Sequence, residues 1–344
     1  MIKQYENRFK ILRLQKKWKV AVLGSGSWAT ALVKIITENK NKVGWYIRNN
    51  DDALKIKKHG INPKYLNSLK LKTKRLNINC EINKIVEEAD VVLVAIPSVY
   101  VYAELNKINI DVSKKIFVSA VKGVLPEKMQ TLGGFFHDHF QIPYNQIGVI
   151  AGPCHAEEIA TEKLSYLTFS CPSTTNAKVI SKWLKCKYVR VKISNDIIGT
   201  EYAAMLKNCY AIAAGIAQGL GYGDNFMSVL MSNSIREMKR FIKNIYKMKR
   251  NINNSAYLGD LLVTGYSSFS RNRRLGVMLG KGYNVQDALL EMNMIAEGYY
   301  GSKSAFQINQ KYKSSTPILD TVYSIMYKET NAKKAFKKME SKLD

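Results

Sequence analysis

The chain has 344 residues, 46% of them apolar, which is enough for two domains with separate cores and excludes an intrinsically disordered chain. Its 53 lysines and arginines against 27 acids give a net charge of +26, but they are spread along the whole length beside abundant Asn, Ile and Tyr, whose codons are all A- and T-rich. Biased gene composition accounts for that charge without a specific nucleic-acid partner. No run reaches the roughly 18 uncharged apolar residues of a membrane helix.

Residues 1–17 are basic and lack the apolar stretch of a signal peptide, so they read as a disordered extension ahead of the folded chain. Residues 18–23 read as a buried strand running into Gly24-Ser25-Gly26-Ser27-Trp28-Ala29, a G-x-G-x-x-A turn that opens a helix at about residue 29. In such a turn Gly24 makes the tight bend, Gly26 lets a pyrophosphate approach the backbone, and Ala29 allows close helix–strand packing. Further strands are expected at 42–47, 90–96, 115–121, 146–151, 166–170 and 188–192, alternating with helical segments. That alternation predicts an α/β fold whose N-terminal domain, residues 18–194, is a doubly wound Rossmann-type sheet. From 195 to 344 no strand is expected; helices at 200–218, 226–248 and 287–310 predict an all-helical C-terminal domain, with Met227, Leu230, Met231, Ile235 and Met238 as a core stripe. Residues 333–338 read as the solvated face of a last helix.

The second strand ends in Trp45-Tyr46-Ile47-Arg48, where a dinucleotide fold meets the adenosine ribose. Arg48 there cannot accept from a 2′-hydroxyl but can pair with a 2′-phosphate, so NADP should at least be tolerated; the alternative is an exposed arginine at a strand end. Lys207 stands in an otherwise almost wholly apolar helical run, residues 201–214. Either it snorkels to the surface or it faces a cavity, with its pKa lowered toward the range useful for proton transfer. Asp260 has apolar neighbours, and Ser270-Arg271-Asn272 offers a fork and neutral donors suited to a phosphate dianion near a helix start. With Lys122, at the end of the strand over 115–121, these residues make a set able to hold a small phosphorylated carbonyl compound beside a nicotinamide. His137-Asp138-His139 reads as an exposed loop rather than a metal site, and no other spacing calls for a metal. Five scattered cysteines, Cys80, Cys154, Cys171, Cys186 and Cys209, fit reduced thiols and a cytoplasmic location.

Taken in order, these motifs resemble the bacterial type of NAD(P)-dependent glycerol-3-phosphate dehydrogenase over residues 19–328. The likeness rests on the glycine turn, Ala120-Val121-Lys122-Gly123, Gly152-Pro153-Cys154-His155-Ala156-Glu157-Glu158, Leu206-Lys207-Asn208, the Gly219–Asn225 stretch, Leu258-Gly259-Asp260-Leu261, Ser270-Arg271-Asn272-Arg273-Arg274 and Glu297-Gly298. The resemblance implies reversible reduction of dihydroxyacetone phosphate to sn-glycerol 3-phosphate for phospholipid synthesis, with NAD or NADP as cofactor, and a homodimer. It implies Lys207 as general acid/base, with Lys122 and Asp260 also catalytic. It places Gly24, Gly26, Ser27, Trp28, Arg48, Lys122, Ala156, Arg271, Ile295 and Glu297 on the cofactor. Lys122, Gly152, Cys154, Lys207, Asp260, Ser270, Arg271 and Asn272 fall on the substrate. Three positions depart from the family: Cys154 where Ser or Thr is usual, Ile47 where His is common, and Ala29 for the third glycine. A dehydrogenase of similar two-domain plan acting on a 3-hydroxy acid or a carboxylate-bearing substrate, and a non-catalytic dinucleotide sensor or nucleic-acid binder, are the alternatives; Ser270-Arg271-Asn272 disfavours the first, Lys207 with Asp260 the second.

Overall fold

The structure is a computed structural model describing residues 18–39, 41–292 and 294–344; the expected extension over 1–17 lies outside the described residues. The first part of the chain runs β1 (Val20–Leu23), α1 (Ser27–Glu38), β2 (Val43–Tyr46), α2 (Asn50–His59), β3 (Leu76–Asn79), α3 (Ile82–Glu87), β4 (Val91–Val94), α4 (Ser98–Leu105) and β5 (Ile116–Ser119). There follow a small hairpin, β6 (Val124–Leu125) with β7 (Gln130–Thr131), then α5 (Leu132–Phe140), β8 (Ile147–Ala151), α6 (Ala156–Ala160), β9 (Ser165–Ser170), α7 (Thr174–Leu184) and β10 (Val189–Ser194). The main sheet has the order β10-β9-β8-β5-β4-β1-β2-β3. Every neighbouring pair is parallel except β8 with β9.

Alternation along β1 explains the two covered faces. Val20 and Val22 pack with α1 in one core, whereas Ala21 and Leu23 pack with α3, α4 and α5 in another. The expected strands are all found, and the chain adds β3, the edge strand beside β2, and the β6–β7 hairpin. Leu76-Asn77-Ile78-Asn79 carries two asparagines of poor strand propensity, so only pairing with β2 identifies it as a strand.

The remaining elements are α8 (Ile197–Gly219), α9 (Asp224–Ile245), a π-turn over Ser255–Gly259, α10 (Asp260–Tyr266), α11 (Arg271–Gly280), α12 (Val285–Leu290), α13 (Glu297–Tyr312), α14 (Pro317–Tyr327) and α15 (Ala332–Glu340). α8 is buried on almost every face and forms the axis of a third core, to which Met227, Leu230, Met231 and Met238 of α9 contribute and against which Ile235 packs. Two expectations are corrected. The single helix expected over 287–310 is two helices, broken between Leu290 and Glu297, and the connection carries Met294 and Ile295 to the cleft described below. His137-Asp138-His139 lies in α5, not in a loop; Thr131 caps the helix by accepting from Gly134 N, and His137 Nδ1 is 3.0 Å from Ile142 O. No helix among the described residues is long and apolar enough to cross a membrane.

Candidate functional site

The strand order reverses between β1 and β4, the position at which doubly wound sheets bind ligands beyond their carboxyl ends. A cleft of about 470 Å³ opens there. Gly24 has φ +113°, and a Cβ on it would stand 2.6 Å from Ala95 O, so the turn requires glycine. A Cβ on Gly26 would meet no atom within 4 Å: the backbone is bare toward the cleft. Gly26 is also the N-cap of α1 and brings no side chain to its first turn, whose N–H groups stay available to an anion. Trp28 Nε1 is buried without a hydrogen-bond partner among the described residues and its side chain lines the same space. Open backbone, free helix terminus and orphaned indole donor together fit a dinucleotide. Asn62 stiffens the turn by donating to Ser25 O (2.9 Å) and Thr30 Oγ1 (2.8 Å), and the loop it anchors brings Tyr65 to the cleft.

At the other end of the cleft stands Lys207, on α8 and 3% exposed. Its ammonium donates to Asp260, itself 2% exposed, so the pair is sealed from bulk water. Asp260 Oδ2 also accepts from Gly152 N at 3.1 Å, and Gly152 holds φ +117° to make that approach. Burial pulls the lysine pKa down to about 8, Asp260 opposing and Lys122 assisting. Lys122 Nζ lies 5.4 Å over the Trp28 ring. Lys122, Lys207 and Arg271 all bear on His155, whose imidazole is pushed down to about 4 by burial first and then by those positive charges. This end of the cleft therefore gathers three cations around a neutral histidine.

Asp260 is placed by a further buried cluster. Asp196 caps α8 by accepting from Gly199 N (2.9 Å), accepts from Arg250 Nε (2.5 Å) and receives the Tyr257 hydroxyl (2.6 Å). Tyr257 belongs to the π-turn that ends where Asp260 begins, so this clamp sets the start of α10 against the helix that carries Lys207. Glu297, at the start of α13, accepts from Ser98 N (3.1 Å) and Ser98 Oγ (2.5 Å), joining the helical part to the start of α4; burial raises its carboxyl pKa.

Of the residues singled out in the sequence, Gly24, Gly26, Ser27, Trp28, Arg48, Lys122, Ala156, Lys207, Ser270, Arg271, Asn272, Ile295 and Glu297 line this one cleft. Gly152, Cys154 and Asp260 do not; the Gly152 N–H donates to the Asp260 carboxylate, which also holds Lys207. Cys154 is buried and its thiol is pushed up to about 12 by desolvation, so it is a neutral, weak donor. Ser270 caps α11 by accepting from Arg273 N (3.2 Å), and Asn272 Oδ1 accepts from Gly298 N (2.8 Å), while Arg271 has no polar side-chain partner among the described residues. Sequence reasoning missed Tyr65, Tyr100, Glu104 and the cleft position of His155. His155 lies inside a quoted motif, which was a usable signal; Tyr65, Tyr100 and Glu104 sit in ordinary helix and loop patterns that carry none. Among the described residues no three His, Cys, Asp or Glu side chains converge as a metal site requires.

Two family models match: the NAD-dependent glycerol-3-phosphate dehydrogenase N-terminus over residues 19–177 and its C-terminus over residues 196–337. The glycerol-3-phosphate dehydrogenase (NAD(P)+) of Staphylococcus carnosus is 31% identical over 313 residues, covering 90% of this chain and 94% of the relative. That of Limosilactobacillus reuteri is 32% identical over 326 residues, covering 93% and 96%. A solved structure of glycerol-3-phosphate dehydrogenase from Coxiella burnetii superposes with a TM-score of 0.86 at 26% identity, over 94% of this chain and 98% of that one. With the glycine turn, the buried lysine and the phosphate-suited arginine converging on one cleft, the chain belongs to the NAD-dependent glycerol-3-phosphate dehydrogenase family and is an NAD(P)-dependent oxidoreductase.

Proposed function

We propose that this enzyme interconverts dihydroxyacetone phosphate and sn-glycerol 3-phosphate, with Lys207 as the proton donor and acceptor at the substrate oxygen. When bound, the nicotinamide supplies the hydride to C2 in reduction and takes it back in oxidation. The observation that carries the reading is a buried lysine, paired to Asp260, standing in the same cleft as the bare glycine turn. In reduction the Lys207 ammonium stabilises charge developing on the carbonyl oxygen and then gives up its proton; in oxidation the neutral amine takes the hydroxyl proton. Asp260 orients that nitrogen and Gly152 orients Asp260. Lys122 adds positive charge beside Lys207, and Arg271, with no side-chain hydrogen bond among the described residues, receives the phosphate as a fork. Ser270 and Asn272 act mainly by holding α11 so that Arg271 points into the cleft.

Steady-state oxidation of NADH and NADPH with dihydroxyacetone phosphate tests this. Lys207→Ala is expected to lose about 10²- to 10⁴-fold in kcat while still binding dinucleotide; turnover like the wild type would remove Lys207 from the assigned role. Division of the chain at 194/195 is supported by the change from β10 to helices alone. We further propose a cytoplasmic homodimer: Cys80, Cys154, Cys171, Cys186 and Cys209 form no disulfide, as in a reducing compartment, and the dimer is what the family resemblance implies. Sedimentation velocity reads the assembly directly.

A further inference from the structure

The adenosine end of the cleft pairs an exposed arginine with a buried carboxylate. Arg48, two residues beyond the end of β2, is among the described residues the only cation lining that end, and its side chain is 67% exposed. Its guanidinium Nη1 nevertheless lies 3.3 Å from Oε1 of Glu104, a carboxylate on α4 that is only 7% exposed and that lines the cleft as well. Glu104 Oε1 also accepts from Lys107 Nζ at 2.9 Å, and Oε2 accepts from the Tyr46 hydroxyl at 2.7 Å. A carboxylate has about four lone-pair sites. Three are occupied here, which leaves one acceptor site on Oε2 of a carboxylate that lines the cleft.

We propose that Glu104 is the residue that sets cofactor choice, favouring NADH over NADPH by accepting from the ribose 2′-hydroxyl and by holding Arg48 away from a 2′-phosphate. NAD-restricted dinucleotide sites usually place an acid at the end of the second strand for this purpose. Here that position carries an arginine, and the acid arrives instead from the helix after β4. A 2′-phosphate dianion must compete with Glu104 for the Arg48 fork and must also sit near a like charge that is largely shielded from water. Lys107 keeps Glu104 ionised when Arg48 swings away, so the repulsion persists. The proposal rests on the reading of this cleft as a dinucleotide site.

The test measures dissociation constants for NADH and NADPH by dihydronicotinamide fluorescence, with no substrate and no turnover, in wild type and in Glu104→Gln. The variant keeps the size of the side chain and an oxygen acceptor but removes the charge. Wild type is expected to bind NADH more tightly, and the variant to shift the NADPH-to-NADH affinity ratio by about tenfold toward NADPH, mostly through tighter NADPH binding. A wild type that prefers NADPH, or a ratio that moves less than about twofold in the variant, overturns the proposal. Should the variant not fold, competition by 5′-ADP and by 2′,5′-ADP against NADH in the wild-type protein decides: 5′-ADP is expected to compete better, and the reverse order overturns the assignment. Failure to bind either dinucleotide would remove the cofactor site itself, an outcome distinct from binding both with an indifferent ratio.

Discussion

On the mechanism proposed above, Lys207 is the residue through which pH acts on the reaction. With its pKa lowered to about 8, the nitrogen is protonated below that value and free above it. In the proposed mechanism reduction needs the protonated form, so kcat/KM for dihydroxyacetone phosphate is expected to fall as pH rises through about 8, while kcat/KM for glycerol 3-phosphate oxidation is expected to fall as pH drops below it. Asp260 opposes the downward shift, so Asp260→Asn should move both limbs to lower pH, besides slowing the reaction. Paired pH–rate profiles of wild type and variant check this; limbs that stay in place would show that another group titrates. His155 is no rival for that limb, because burial and its cationic neighbours keep it neutral down to about pH 4. A lone lysine in an apolar helix was legible in the sequence. That it neither snorkels nor stands alone was not, because Asp260 lies 53 residues away and only packing joins them.

Between elements, the decisive contact is that of α8 with α11. A Cβ on Gly276 would stand 2.1 Å from Ile212 O, one on Gly215 2.0 Å from Arg273 O, and one on Gly219 2.4 Å from Val277 O. The two helix backbones thus touch through glycines, which brings Arg271 at the start of α11 to the cleft that holds Lys207. Gly276→Ala forces those backbones apart. Its expected cost is about 3 kcal/mol, at the upper end for overpacking, with Tm lower by roughly 5 °C or more and KM for the phosphorylated substrate raised more than kcat is lowered. Thermal unfolding with steady-state kinetics reads both, and an unchanged Tm would mean that the helices slide to absorb the methyl group. Helix lengths followed from apolar periodicity, as for α8 and α9, but the interruption before Glu297 did not. Met292, Met294, Ile295 and Ala296 are compatible with a helix, and the break exists because Ile295 faces the cleft and Glu297 binds Ser98 across from the sheet.

At the scale of the whole molecule the net charge is +26, and the proposed cofactor and substrate are both phosphorylated. Such a field raises the encounter rate of anions, and it weakens as the screening length falls from about 30 Å at 0.01 M salt to about 8 Å at 0.15 M. Over that range kcat/KM for dihydroxyacetone phosphate is expected to fall about threefold or more, with kcat little changed. A flat response, measured with sodium chloride at constant pH, would leave the charge as a trace of gene composition alone. The architecture itself was largely readable, since seven strands alternating with helices and then helices alone describe a doubly wound sheet followed by a helical domain. The antiparallel β9 was not, because strand direction is a property of connections and pairing, and Ser165–Ser170 has the same apolar content either way.

What the amino-acid sequence determined unaided was local: the β1–glycine turn–α1 unit, the amphipathic and buried helices, and the residue types able to bind phosphate or move a proton. Each depends on neighbours within a few positions, where backbone freedom and side-chain periodicity act directly. Only the tertiary structure decided which of those residues meet. Glu104 reaches Arg48 across 56 positions, Asp196 reaches Arg250 across 54, and Glu297 reaches Ser98 across 199. Such pairings arise when separate apolar faces are buried together, and that packing also decides which carboxylate stays buried beside which cation.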